Sequence, residues 1–95
     1  MTVADIPQLI ERARGHLEVE DFAAARSYYE AILARDKDLT EAMIGLGDSC
    51  FGLGEYDTSE HAYRVALETA PSDPDALFGL AAVLRVTEYY EEAES

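Results

Sequence analysis

One apolar skeleton occurs twice in this chain and begins a third time. The stretch EDFAAARSYYEAILARDK, Glu20–Lys37, and the stretch GEYDTSEHAYRVALETAP, Gly54–Pro71, coincide when one is displaced by 34 residues, and EYYEEAES, Glu88–Ser95, opens on the same columns. Phe22 falls on Tyr56 and Tyr90, Ala25 on Ser59 and Ala93, Tyr29 on Tyr63, and Leu33 on Leu67. The segments between keep the register: Leu9, Met43 and Leu77 align, as do Ala13, Gly47 and Ala81, and His16, Cys50 and Leu84. The blocks AMIGLG, Ala42–Gly47, and ALFGLA, Ala76–Ala81, differ mainly by swaps of similar size. A period of this length marks stacked units that each touch only their neighbours, not a globule closed around one centre.

Inside each period the apolar spacing is helical. Leu9, Ala13 and His16 stand at i, i+4 and i+7, and Met43, Gly47, Cys50 and Leu77, Ala81, Leu84 repeat that pattern. Tyr56, Ser59, Tyr63, Ala66 and Leu67 mark one face of the next helix. Asp38-x-x-Glu41 and Ser72-x-x-Asp75 have the form of capping boxes, and Pro74 falls in a first turn, where its missing N–H costs little. Gly52 and Gly54 break the chain between two helices, and Pro71 closes the second. The spacing predicts six helical segments, at about 6–18, 22–35, 40–52, 56–69, 74–86 and 89–95, the last cut short. Small residues at Ala13, Ala25, Gly47, Ser59, Ala66 and Ala81 let antiparallel helices approach closely, and the large rings at Phe22, Tyr29, Tyr56, Tyr63 and Tyr90 fill the gaps between them. Gly45 and Gly79 share a mid-helix column, where each costs about 1 kcal/mol relative to alanine. Either a partner's backbone or the preceding repeat needs that space.

These columns resemble the tetratricopeptide repeat, a 34-residue helix–turn–helix unit with the loose pattern W-x2-L-G-x2-Y, G-x-Y-x2-A-x3-F/Y-x2-A-L and a closing proline. Thr40–Asp73 supplies Leu46-Gly47, Gly54-x-Tyr56, Tyr63, Ala66-Leu67 and Pro71, with Met43, Cys50 and Ser59 departing from it. The repeat at about 6–39 has Phe22, Ala25, Tyr29 and Leu33, but Arg12-Ala13, Glu20 and Lys37 replace Leu-Gly, Gly and Pro. The repeat from Pro74 has Leu77, Leu80-Ala81, Tyr90 and Ala93 and then ends. The resemblance implies an all-α solenoid of antiparallel hairpins, about two and a half units forming a single domain over 1–95, with a concave face lined by the first helix of each repeat. On those helices the columns Ile10, Ile44, Phe78 and Leu17, Phe51, Arg85, with Arg14, Asp48 and Ala82 between them, are not consumed by hairpin packing. The resemblance places them in a groove with an apolar floor and Arg14 and Asp48 as polar handles, suited to a peptide or an amphipathic helix. The other reading packs these residues on a neighbouring element or a second copy. Some family members clamp a C-terminal carboxylate with Lys, Asn and Arg. Here those positions hold Ile10, Arg14, Gly45, Asp75 and Gly79, so no such clamp is expected.

The remaining chemistry is sparse. Seven basic against twenty acidic residues leave a formal net charge of −13, which repels nucleic-acid phosphates and anionic lipid heads and suits a basic or neutral protein partner. Cys50 is the only cysteine, so no internal disulfide can form, and the N-terminal MTVADIPQLIERARGHLEVED has no apolar run of signal-peptide or membrane-spanning length. A cytoplasmic protein is the expectation. His16 with Glu20, and Asp57 with His61, could each hold two corners of a metal, but neither pair has a third ligand. Asp36-x-Asp38-x-Thr40 opens like a calcium loop, yet Glu41 stands where glycine is needed and Gly47 where the bidentate glutamate is needed. Cys50 lies in a core column, and Gly52-x-Gly54 follows a helix and lacks a lysine. No cofactor and no enzymatic activity are expected.

The incomplete last repeat leaves Leu77, Leu80 and Leu84 short of cover. Arrays of this kind need about three repeats and a polar cap. The chain is therefore expected to be a fragment of a longer array, the regulatory N-terminal domain of a larger enzyme, or a unit that self-associates through its open C-terminal end. The leading expectation is a protein–protein interaction module, an adaptor or scaffold.

Overall fold

In the computed structural model, which describes residues 5–94 and the side chains up to residue 92, the chain is a stack of helices with no strand among the described residues. They are α1 (Ile6–Glu18), α2 (Phe22–Arg35), α3 (Thr40–Gly52), α4 (Tyr56–Thr69) and α5 (Pro74–Glu94). The side chain of Ala93 and all of Ser95, counted above with the third repeat, lie outside the described residues.

Local chemistry sets the ends of these helices. At α1 the backbone N–H of Asp5 donates to Gln8 Oε1 at 3.3 Å, and at α2 the Asp21 carboxylate accepts from the Ala24 N–H at 3.4 Å. The sequence expectation erred at the next caps. Leu39 occupies the N-cap of α3, without a side-chain cap bond, so Asp38 and Glu41 form no box there. Before α5 it is Asp73, not Ser72, that accepts from the N–H groups of Asp75 (2.9 Å) and Ala76 (3.2 Å). An aspartate directly before Pro74 can reach these donors, and a serine one residue earlier cannot. The turn after α3 passes through Gly54 at φ +79°, and the matching turn after α1 passes through Glu20 at φ +61°.

The break expected between 86 and 89 is absent, because α5 runs through it as one 21-residue helix. Glu88 is the residue that aligns with Glu20 and Gly54. A left-handed conformation there would cost a non-glycine residue about 1–2 kcal/mol. After Glu20 the whole of α2 folds back and offsets that cost. At Glu88 the helix continues instead and keeps its backbone hydrogen bonds.

Each helix packs on the one before it and the one after it. The odd helices also come together, α1 with α3 and α3 with α5, whereas the backbones of α2 and α4, and of α1 and α5, stay apart. A stack whose odd members touch and whose even members fan apart is curved, with α1, α3 and α5 on the inner side. The dimensions, 55 × 27 × 18 Å, are those of an elongated array. Ala13, Ala25, Gly47, Ser59 and Ala66 are buried, as their columns predict, whereas Ala81, in the column of Ala13 and Gly47, is exposed. The hydroxyls among them are satisfied within the stack: Ser59 Oγ donates to the Gly47 carbonyl and Ser49 Oγ to the Gly45 carbonyl, both at 2.8 Å.

The structure decides between the two readings of Gly45 and Gly79. A Cβ at Gly45 would stand 2.2 Å from the Tyr29 ring, and one at Gly79 would stand 2.4 Å from the Tyr63 ring. Each glycine receives the tyrosine of the preceding repeat, so this space belongs to the stack and not to a partner.

Leu9 is 8% exposed under α2, whereas Leu77, in the same column, is 47% exposed, with no helix among the described residues over that side of α5. Tyr90 reaches back to stack on Tyr56, ring centroids 6.3 Å apart.

Candidate functional site

The inner side of the curve holds a hollow of about 560 Å³. Six of the nine residues singled out from the sequence line it: Leu17 from α1, Ile44, Asp48 and Phe51 from α3, and Phe78 and Ala82 from α5. Helical geometry explains the convergence. Ile44, Asp48 and Phe51 are spaced by four and three and share one face of α3, and Phe78 and Ala82 do the same on α5. Phe78 is 78% exposed, a large apolar ring presented at the surface.

The other three residues lie elsewhere. Ile10 and Arg14 border a separate depression along α1, with Pro7 and Glu18. The Arg14 guanidinium is drawn across to the carboxylate of Glu41 on α3, so it is not a handle within the hollow. Arg85 lies beyond the hollow, where the uninterrupted α5 brings it beside Tyr56, Val86 and Tyr89.

Four lining residues were not among those singled out: Phe22, Tyr63, Asp75 and Gly79. Phe22 and Tyr63 belong to the outer helices, and their columns read as packing. Both do pack, since a Cβ at Gly52 would fall 2.4 Å from the Phe22 ring. Because glycines face them, these rings also show through to the inner surface. The paired Gly45 and Gly79 column was the available signal for this.

The electrostatics of the hollow centre on Asp48. Its carboxylate accepts a hydrogen bond from the Tyr63 hydroxyl. Burial pushes the Asp48 pKa up, the Tyr63 hydrogen bond pulls it down, and the charge of Asp75 raises it further. Among the described residues no cationic side chain pairs with either carboxylate.

Tyr63 is pushed far above the ordinary tyrosine range, first by burial and then by the bond to Asp48 and its charge, and Tyr29 is raised mainly by burial. A pKa higher in the folded state means that the native protein keeps protons the unfolded chain has lost. The associated stability is complete below about pH 10, where the unfolded phenol titrates, and falls as pH rises toward the folded values. Urea midpoints measured from pH 8 to 11 are expected to fall above about pH 10. Tyr63→Phe is expected to be less stable at pH 8 yet to lose less on going to pH 11. An equal alkaline loss in both proteins would show that Tyr63 is not protected from ionisation.

Other chemistry in the fold is structural. Cys50 is fully buried, and burial raises its thiol pKa. His16 stacks on Tyr28 at 5.4 Å and stands 3.5 Å from Asp21. Among the described residues no group of three potential metal ligands comes together, and no helix is long and apolar enough to cross a membrane.

The family model for the tetratricopeptide repeat matches residues 10–74 and, in a second placement, 45–95. The chain is also similar to a curated protein, the Protein CTR9 homolog of Arabidopsis thaliana, with 33% identity over 64 residues. That match takes in 67% of this chain and 6% of the relative's length.

Proposed function

Because the chain belongs to the tetratricopeptide-repeat family, whose repeats mediate protein–protein interaction, we propose that it is an adaptor or scaffold module holding a peptide or helix of a partner protein in the hollow between α1, α3 and α5. The observation that supports this most directly is the convergence of Leu17, Ile44, Phe51 and Phe78 around one opening, with Phe78 left in solvent. An apolar strip of this kind on an inner wall gains free energy when a foreign apolar face removes it from water, about 25 cal/mol per Å².

Phe78→Asp is the direct test. Its side chain is exposed, so the helical circular-dichroism signal and the melting temperature are expected to hold, while affinity for a peptide selected on the wild-type chain falls at least about a hundredfold, as for a central apolar anchor. Retained affinity would exclude the hollow as the docking site.

The exposed Leu77, Tyr89 and Tyr90 of α5 favour a second reading, self-association through the open end. In that case the molar mass in sedimentation velocity rises with concentration whether or not Phe78 is replaced.

A further inference from the structure

The hollow is apolar but not neutral. Asp48 sits in the middle of α3, away from the helix N-terminus, where the macrodipole would favour a carboxylate. It is partly withdrawn from water, and its one hydrogen-bond donor is the uncharged Tyr63 hydroxyl. Across the opening Asp75 adds a second negative charge, which raises the cost of ionising Asp48. Asp75 has a local reason to be acidic, since it lies in the first turn of α5. Asp48 has none within the described fold. No described cation fills that role: Arg14 is held by Glu41, Arg26 by Glu55 at 2.6 Å with Glu30 at 3.9 Å, and Arg85 lies outside the hollow beside Tyr56, Val86 and Tyr89. A charge placed among apolar side chains with no counterion is completed by a ligand that brings one. A bare metal ion would need further ligands that the described residues do not bring together.

We propose that the groove selects partner segments carrying a single arginine or lysine between apolar residues, the cation seated against Asp48 and Asp75 and the apolar flanks lying on Ile44, Phe51 and Phe78. The specificity rests on the docking reading above and adds to it. The apolar wall supplies area, and the carboxylates set register and reject segments that place an acid at the centre. The Asp48 carboxylate keeps Tyr63 as a donor while its second oxygen accepts from the incoming cation.

The test is selection of a displayed library of random 12-residue peptides on four versions of the chain. These are wild type, Asp48→Asn with Asp75→Asn, Glu68→Gln with Glu88→Gln, and Phe78→Asp. Asparagine retains an oxygen for the Tyr63 hydroxyl, and circular dichroism checks each fold. The Glu68 and Glu88 pair removes the same two charges from exposed positions, which separates the groove from the bulk charge of −13. Wild type is expected to enrich peptides with one central basic residue between apolar ones. A synthetic winner should bind the Asp48/Asp75 variant about tenfold or more weakly, and the Glu68/Glu88 variant as it binds wild type. Enrichment of apolar peptides with no basic residue, still dependent on Phe78, would overturn the cation preference and leave the docking site standing. So would equal weakening by both neutralised pairs. Enrichment indifferent to Phe78, or none, would remove both.

Discussion

Tyr63→Ala is expected to destabilise the chain by about 3–5 kcal/mol, the range for truncating a large buried aromatic. The ring is 2% exposed and joins three helices. It rises from α4, its edge lies where side chains at Gly47 of α3 and Gly79 of α5 would be, and its hydroxyl reaches Asp48. Two of the neighbours that would have to collapse into the resulting cavity are glycines, with no side chain to lend, so the loss belongs at the upper end of the range. A domain of this size is stable by about 5–15 kcal/mol in total. The array contacts only near neighbours, so the damage is local: α4 and α5 should loosen first, while the cluster of Leu9, Ala25, Tyr29 and Ile32 between α1 and α2 persists. Urea unfolding followed by circular dichroism is expected to show a much earlier, broader transition with residual helix. Tyr56→Ala, which removes a half-buried ring, should cost clearly less. Equal midpoints for the two variants would mean that Tyr63 is not the wedge between the repeats.

The stacking itself was legible because each column reports a contact that repeats. Ala13, Gly47 and Ala25, Ser59 are small for the same reason in each unit, and that regularity is read without coordinates. Glu88 shows where column reasoning fails. Its column predicts a turn, but a left-handed glutamate is strained, and α5 instead keeps its helical hydrogen bonds through that position. Asp73 against Ser72 is a failure of another kind, since a one-residue difference in reach decides which oxygen finds the N–H groups of α5. Within the hollow, Ile44, Asp48, Phe51 and Phe78 were legible from helical spacing on one face. Tyr63 is not legible there, because its column marks packing and a packing column does not show that a ring also reaches the inner surface. A ring lodged against glycines does both. Arg14 left the site through its ion pair with Glu41, a partner 27 residues away that no local pattern predicts.

Gly45→Ala tests the same architecture from the opposite side, through the sign of its effect. Alanine is the better helix former by about 1 kcal/mol, so in open space the substitution stabilises. Gly15 of α1 is such a position: it is exposed, and a Cβ there would meet nothing within 4 Å. Gly15→Ala is accordingly expected to raise stability by about 1 kcal/mol. At Gly45 the new Cβ would lie 2.2 Å from the Tyr29 ring, which is 3% exposed and has no room to swing aside. Overpacking of that depth belongs at the top of the usual range, about 3 kcal/mol, and outweighs the gain in propensity to leave a net loss of about 2 kcal/mol. Removing the ring should reverse the sign. In a Tyr29→Ala background, itself severely destabilised, Gly45→Ala is expected to gain the full propensity of about 1 kcal/mol. The coupling between the two sites is then about 3 kcal/mol, well outside the scatter of independent mutations. Because Tyr29 and Gly45 belong to successive repeats, that coupling measures the joint between them. A destabilisation by Gly45→Ala that is the same with and without the ring would show that α2 and α3 are held together by other contacts.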